Sequence, residues 1–277
     1  MRINTNVSAL QAQRSMNEHS RQVESAAGKL AQGTRVRSAA DDAASLAIGT
    51  KHKSEIRSNY QAMRNANDAI SEFQIAEGTL NEVGNMLTRL KELSVQASSA
   101  HLQNSDRDNL NLEYMALRSE IERMTQGAQF LGDNLFRSTK ERTFQIGTNS
   151  DSNSRLEVDR SNMIVSEFNL QIVDSSIPTA EEAQLNLGYI DTAIERLSKT
   201  RANLGSMQNR LESTISNLDT GRVNESSALS QRMDADFAFE TSEKIRNEIR
   251  VQAAGSVMTQ ANQISSLALN LLKGNGF

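Results

Sequence analysis

The segment IDTAIERLSKTRANLGSMQNRLESTISNL, residues 190–218, decides the fold class of this chain. Its large aliphatic residues recur every seven positions, with two more between them: Ile190, Leu197, Leu204, Leu211 and Leu218, then Ile194 and Ile215. A sustained apolar repeat of seven predicts a helix that packs along other helices as in a coiled coil. Pro178 and a capping box formed by Thr179 and Glu182 predict where this helix begins.

The N-terminal half supplies the predicted partners of that helix. A helical pattern extends from about Ala43 to Ala100, with local breaks expected at its glycines, and its second half carries a heptad stripe: Phe73, Ala76, Leu80, Val83, Leu87, Leu90, Ser94 and Ala97. Ser105 and Asp108 form a capping-box pattern that predicts another helix start. The same spacing continues in that helix through Leu110, Tyr114, Leu117, Ile121, Met124, Ala128 and Leu131.

Between about residues 138 and 178 the apolar period changes from helical to alternating. Phe144 and Ile146 alternate with polar neighbours, as do Leu156 and Val158, and a polar run lies between the two pairs. This pattern predicts a small β-hairpin region, extended by 172–173. The predicted fold is therefore mainly α, with long antiparallel helices in coiled-coil-like bundles and a hairpin region between helices.

The two ends of the chain carry narrow apolar stripes that are too sparse to form a core alone. We predict that the terminal helices pair, so that residues 1–43 with 236–277 form one domain and 44–235 another. The predicted contact seam consists of Ile3, Val7, Leu10, Val23, Leu30, Val257, Ala261, Ile264, Ala268 and Leu271. A seam predicts contact without saying whose, so both a pair closed within one chain and contacts between chains stay open.

Composition argues against several classes of function. The net charge of −4 provides no general attraction to nucleic acid, and the chain has no cysteine for a disulfide, thiol nucleophile or thiolate metal site. His19, His52 and His101 lie far apart, and no nucleotide-binding or nucleophile-elbow motif occurs. Asp41 and Asp42 are best explained as helix caps. We therefore expect no enzyme activity, metal or cofactor.

No segment approaches the roughly 20 consecutive apolar residues of a membrane span. The first residues also lack the apolar core of about 7 to 15 residues that a cleaved secretory signal needs. We therefore expect no membrane span, and any export to use another route.

Motifs at both ends resemble bacterial flagellins. At the start the matching segments are 3–6, 30–36, 39–48, 65–70, 76–80 and 90–97, and at the end they are 253–258, 260–263 and 271–273. The resemblance covers roughly residues 1–136 and 180–277. About 40 residues separate the matched halves, so the chain resembles a short flagellin without the variable outer domains.

The resemblance implies a subunit that self-assembles into the helical tube of the extracellular flagellar filament, which is rotated for swimming, either alone or together with other flagellins. It further implies export through the flagellar type III apparatus without a cleaved signal peptide. The implied partners are an export chaperone at the C-terminal helix, and the cap and hook-junction proteins. The seam residues would form the inner filament core. Alternatives are a minor or hook-filament junction flagellin-like protein, and a soluble helical scaffold.

One further surface follows from the resemblance alone. The family segment recognised by the vertebrate innate flagellin receptor resembles Arg89, Leu93, Gln96 and, on the next helix, Glu113. Steps of four and three place the first three on one helical face. Packing between subunits is the alternative, and favoured, primary role for that face.

Overall fold

The computed structural model describes residues 5–137, 141–158, 172 and 175–274, without the side chains of 265 and 267–273. Five α-helices and four short strands occur in these residues: α1 (Val7–Gln32), α2 (Ala43–Ala97), α3 (Asn104–Gly127), β1 (Gln129–Phe130), β2 (Asp133–Asn134), β3 (Arg142–Gln145), β4 (Arg155–Val158), α4 (Ala180–Met233) and α5 (Phe237–Lys273). A short 3-10 helix, Ser152–Ser154, precedes β4. The strands form two antiparallel pairs, β1–β2 and β3–β4. The prediction of a mainly α fold with a small hairpin region is confirmed.

The chain forms two compact units, residues 1–54 with 224–277 and residues 55–223. The sequence-based division, at residues 43 and 236, placed the limits at helix ends, whereas these limits fall inside α2 and α4. Close packing explains the difference within the terminal unit. A Cβ atom at Gly49 of α2 would lie 2.7 Å from the sulfur of Met233, which is buried at the end of α4. The first turns of α2 therefore belong with the chain termini.

In residues 55–223 the predicted heptad seams form one apolar core. The α2 stripe from Phe73 to Ala97 is buried at every position, and Tyr114 and Ile121 of α3 are fully buried beside it. On α4, Ile190, Leu197, Leu204 and Leu211 belong to the same core, with Ile194 and Ile215 packed against it. Coiled-coil periodicity thus identified the buried faces of all three helices.

The β3–β4 hairpin packs against α2. Phe144 of β3 meets Phe73 edge-on, with ring centroids 5.9 Å apart. Arg142 forms an ion pair of 2.8 Å with Glu72, whose side chain is only 3% exposed. The predicted hairpin region therefore contains β3 and β4; Ile172 is buried but lies in no strand, and residue 173 is outside the described set.

The predicted end of α3 was wrong. The helix stops at Gly127, and Leu131 lies in a tight turn with φ 52°. Ala128 is buried, and so continues the apolar period of the helix, although it already has the extended conformation of the C-cap residue. Periodicity does not report where hydrogen bonding ends.

Two smaller predictions about helix limits also failed. The capping box at the start of α3 is formed by Gln103 and Asp106 rather than by Ser105 and Asp108, because the helix begins two residues earlier than expected. The glycines of α2 do not interrupt it, since the buried stripe beside them holds the helix together. By contrast, Thr179 and Glu182 interact at the start of α4 as expected: the Thr179 hydroxyl accepts a 3.2 Å bond from the Glu182 amide and donates to the Glu182 carboxylate across 2.8 Å.

Candidate assembly surface

In the terminal unit, α1 packs along α5 in an antiparallel pair. The amide of Asn6 donates to the carbonyl of Ala261 across 2.9 Å at one end of α1, and the ammonium of Lys29 contacts the carboxylate of Glu240 across 3.0 Å at the other. Two polar contacts so far apart along the helices fix their relative register. Polar groups inside a helical seam commonly have this effect.

The contact between α1 and α5 is narrow and lined by small or polar groups. Ala12 and Ala26 are its buried residues on α1, and Ala261 on α5. Glu240 and Asn247 are also buried on the same side of α5. Alanines let helices approach closely, but they bury little apolar area, so this pair gains little hydrophobic stabilisation by itself.

A set of large apolar residues on the same two helices remains open to solvent. The exposed fractions lie between 49% and 72% for Val7, Leu10, Phe237, Phe239, Ile245, Ile249, Val257 and Ile264. We call these eight residues the apolar assembly surface. At 3.6 residues per turn, Ile245, Ile249, Val257 and Ile264 fall within an arc of about 120° on α5. This arc does not include the positions of Glu240, Asn247 and Ala261, which are buried on the side of α5 that contacts α1. Exposed apolar clusters of this kind typically mark sites that bind another protein.

The predicted seam is therefore divided between two faces. Ala261 is buried against α1, and Val23 and Leu30 are half-buried on the side of α1 that carries its buried alanines. Val7, Leu10, Val257 and Ile264 instead belong to the apolar assembly surface. Ile3 and the side chains of Ala268 and Leu271 lie outside the described residues.

Four residues of the apolar assembly surface were not in the predicted seam. Ile245 and Ile249 are an i, i+4 pair that the sequence could have revealed, because the helix that carries them begins at Phe237. Phe237 and Phe239 occupy its first turn, where their exposure depends on the angle at which the chain enters the helix.

The connection between α1 and α2 forms backbone hydrogen bonds with the connection between α4 and α5. Gly33 ends α1 with φ 67°, a left-handed conformation that glycine adopts without strain. Beyond it, the amide of Arg35 donates to the carbonyl of Met233 across 2.7 Å, and the amide of Ala235 donates to the carbonyl of Gly33 across 3.0 Å. A short β-bridge between the two connections thus holds α1 near the start of α5.

Asp42 caps α2, as predicted, whereas Asp41 stabilises the turn that precedes the helix. The Asp41 carboxylate accepts bonds of 3.0 Å from the amides of Arg37 and Ser38, and these bonds lower its pKa. The Asp42 carboxylate accepts from the amide of Ser45 across 2.9 Å at the start of α2, and hydrogen bonding to Ser45 lowers the pKa of Asp42. Both carboxylates therefore have a structural role as anions, which accounts for the acidic pair without catalysis.

The four residues of the receptor-like segment do not form one surface. Arg89 donates to the Glu113 carboxylate across 2.8 Å and 2.9 Å, which joins α2 to α3 on the outside. Gln96 is exposed as well. Leu93 is fully buried in the apolar core, so it supports this face from beneath and is not available for contact.

The three histidines lie in different environments. His52 contacts the carboxylate of Glu225, and its side chain is only 21% exposed. His19 lies 3.2 Å from Gln22 on α1, and His101 is exposed after α2. Among the described residues, no helix is long and apolar enough to cross a membrane.

Comparison with family models identifies two matching regions. Residues 3–141 match the bacterial flagellin N-terminal helical region, and residues 187–272 match the bacterial flagellin C-terminal helical region. The two matches contain all of α1 to α3 and most of α4 and α5, and all eight residues of the apolar assembly surface lie within them.

Curated relatives match along their whole length. A flagellin of Halalkalibacterium halodurans is 38% identical, with 99% of this chain and 100% of that protein covered. The flagellar filament 33 kDa core protein of Treponema phagedenis is 35% identical over the same shares. A flagellin of Bacillus subtilis is 34% identical, again with 99% and 100% covered. No large additional domain distinguishes these relatives from this chain.

Two solved structures share the fold. Bacillus cereus flagellin aligns with a TM-score of 0.50 at 26% identity, covering 56% of this chain and 88% of that one. A Vibrio parahaemolyticus protein described as hook-associated aligns with a TM-score of 0.59 at 14% identity, covering 70% and 100%. The second likeness concerns the fold alone.

Proposed function

The chain belongs to the bacterial flagellin family, and from this premise we propose that the apolar assembly surface is the means by which it builds the flagellar filament. As a flagellin it is a structural subunit of that extracellular filament and is not an enzyme. The observation that carries the proposal is the exposure of eight large apolar residues on the paired terminal helices. Neighbouring subunits would cover these residues.

The magnitudes support assembly rather than a stable isolated terminal unit. Burying a large aliphatic side chain completely contributes about 1.5–3 kcal/mol, so covering the half that is exposed contributes about 1 kcal/mol for each residue. Summed over the surface this is roughly 10 kcal/mol, which is comparable to the roughly 4–15 kcal/mol that association costs in lost freedom of motion. Several neighbours acting together are therefore needed, as in a tube where each subunit touches more than one other.

The contacts must join different patches to give an open filament. A surface that meets its own copy closes a dimer, whereas two different surfaces that meet generate a helix without an end. The outward residues of α1 and the exposed side of α5 lie on different helices, so they can meet different neighbours. This supports the proposal that both terminal helices form the inner core of the tube.

A charge placed on the exposed side of α5 tests the proposal. We expect Ile264→Asp to abolish filament growth on seeds, while circular dichroism and the unfolding of residues 55–223 stay unchanged, because Ile264 is 60% exposed within the subunit. Ile264→Leu keeps the apolar side chain and serves as the matched control. Normal growth of the aspartate variant would contradict the proposed surface, as would growth of a chain that lacks residues 236–277.

We also propose that an export chaperone shields α5 before assembly. The same exposed residues that would be covered in the filament would otherwise associate prematurely in the cell. A chaperone with an apolar groove would bind wild-type chain and Ile249→Leu, but bind Ile249→Asp more weakly. Equal binding of all three chains in a pull-down would contradict this arrangement.

Export by the flagellar type III apparatus, without cleavage of a signal peptide, is proposed from family membership. N-terminal sequencing of subunits taken from filaments should then begin at Met1 or Arg2. A start further along the chain would show cleavage. Addition under a cap and contact with hook-junction proteins follow from the same premise, and a strain without the cap should secrete the subunit as monomer.

Recognition by the vertebrate innate flagellin receptor is a separate proposal. It rests on Arg89, Gln96 and Glu113, with Leu93 as support from the core. Arg89→Ala should reduce the response of receptor-expressing cells to monomer, and Lys91→Ala on the same helix serves as a control, because Lys91 pairs with Asp191 on another helix. If the cells respond to Arg89→Ala monomer as they do to the wild-type chain, the proposed receptor surface is contradicted.

A further inference from the structure

The turn between β1 and β2 places an apolar side chain in an unfavourable backbone conformation. Leu131 and Gly132 connect the two strands, with φ of 52° and 85°. Two-residue hairpin turns with positive φ at both positions favour Asn-Gly or Asp-Gly, because short polar or absent side chains tolerate this geometry. For a bulky aliphatic residue a positive φ is a clear outlier.

The surrounding contacts prevent the turn from relaxing. The side-chain oxygen Oδ1 of Asn134 accepts bonds of 2.9 Å from the backbone amides of Phe136 and Arg137, while its side-chain Nδ2 donates to the carbonyl of Gln126 in the last turn of α3. The amide of Leu135 donates to the carbonyl of Ala128 across 3.0 Å. Leu135 and Phe136 are buried in the core. The hairpin is therefore anchored on both sides, and its tip is held rigidly.

Leu131 gains nothing from its own subunit in return. It is 88% exposed, the largest exposed fraction among the large apolar residues described. Asparagine at this position would fit the backbone better and would be better solvated. Strained residues persist where the strain serves a function, so the aliphatic side chain calls for a role outside the subunit.

We propose that Leu131 is an anchor that inserts into a second copy of this chain in the filament. The inference rests on the proposed function, because filament growth brings copies of the chain together around residues outside the terminal helices. A rigid tip loses little conformational freedom on binding, and its apolar side chain gains by leaving water. The exposed carboxylate of Asp133, 3.8 Å from Arg142, lies beside it and would help to orient the contact.

The critical concentration for growth on filament seeds tests this proposal. Covering an exposed leucine is worth about tenfold or more in an association constant, so Leu131→Asn should raise the critical concentration about tenfold or more. Leu131→Met keeps an apolar side chain and should grow close to the wild-type concentration. The asparagine variant should also unfold at the same or higher denaturant concentration as a monomer, which separates lost assembly from lost folding.

The outcomes distinguish this inference from the function on which it rests. If wild-type chain grows and Leu131→Asn grows equally well, Leu131 is not an anchor and the filament proposal is unaffected. If wild-type chain does not grow on seeds, the assembly surface itself is refuted. A lower unfolding midpoint for Leu131→Asn than for wild type would also overturn the inference, since it would give Leu131 a role within its own subunit.

A single introduced thiol can show what covers the side chain. The natural chain has no cysteine, so Leu131→Cys carries the only reactive site for a maleimide photo-crosslinker. We expect cross-linked dimers in filaments but not in monomer solutions, and peptide mapping will identify the receiving helix. Cross-links confined to one chain, or none in filaments, would overturn the proposal.

Discussion

The ion pair between Lys29 and Glu240 should control how tightly α1 holds α5. The Glu240 side chain is only 6% exposed and its Lys29 partner 25%. Removing one member of a buried pair costs about 3–5 kcal/mol, because the other charge is left without compensation. Partial exposure of Lys29 lets water take over some of its role, which reduces the expected cost of Lys29→Met to about 2–3 kcal/mol.

The double variant separates pairing from the general effect of substitution. Replacing both members by apolar residues of similar size is often nearly neutral, so Lys29→Met combined with Glu240→Leu should recover most of the loss. The cycle should then give a coupling energy of about 1–3 kcal/mol in favour of the pair, as expected for residues in direct contact. If the two side chains did not interact, the losses of stability of the two single variants would simply add in the double variant.

Heat-induced disassembly of filaments provides the assay, with hydrogen exchange of α1 in the monomer as a second measurement. We expect Lys29→Met filaments to disassemble at a lower temperature than wild type and amides of α1 to exchange faster. Lys53→Met removes an exposed lysine from α2 in the same unit, outside the α1–α5 pair, and serves as the control. Strict additivity of the two single variants would refute the reasoning, because it would mean that the contact contributes nothing to the register of the pair.

Two further predictions concern residues 55–223. Arg107 is buried and donates to the carbonyls of Ala97 and Ser99 across 2.9 Å and 2.8 Å, so it caps the end of α2. Arg107→Ala should lower the free energy of unfolding by about 2–4 kcal/mol in denaturant titrations, and Arg107→Lys should retain only part of the lost stability. A loss below about 0.5 kcal/mol for Arg107→Ala would contradict the cap. Burial raises the pKa of the Tyr114 hydroxyl, which donates to Ser175 across 2.9 Å, so the folded form binds this proton more tightly than the unfolded chain. The resulting contribution to stability is complete below pH about 10 and decreases as the pH rises through the folded pKa. Tyr114→Phe should remove this part of the alkaline decrease in the unfolding free energy, and an unchanged slope would contradict the assignment.

Several features of the molecule were predictable because they depend on neighbours in the sequence. The heptads of α2 and α4 identify their buried faces, since a repeat of seven aligns the same side of a helix at each turn. The capping residues Thr179 and Asp42 act within three positions along the chain. The motifs at both ends resemble flagellins, and the family matches confirm this.

The sequence-based predictions were wrong where the result depends on which residues pack against a given side chain. Leu93 satisfies the spacing of a surface face together with Arg89, yet it is fully buried, because the packing of α2 against its neighbours decides which side of the face is covered. Leu131 continues a helical period beyond the end of α3, although the backbone has already turned. Spacing alone cannot detect either event.

Sequence by itself determined the helical class, the heptad faces and the family. Only the tertiary structure decided that the terminal stripes divide into a face used within the chain and a face left open, with Ala261 on the first and Ile264 on the second. The physical reason is that the hydrophobic effect favours the removal of an apolar side chain from water but does not specify the partner that covers it. Which partner removes it from water depends on how the helices are placed in three dimensions.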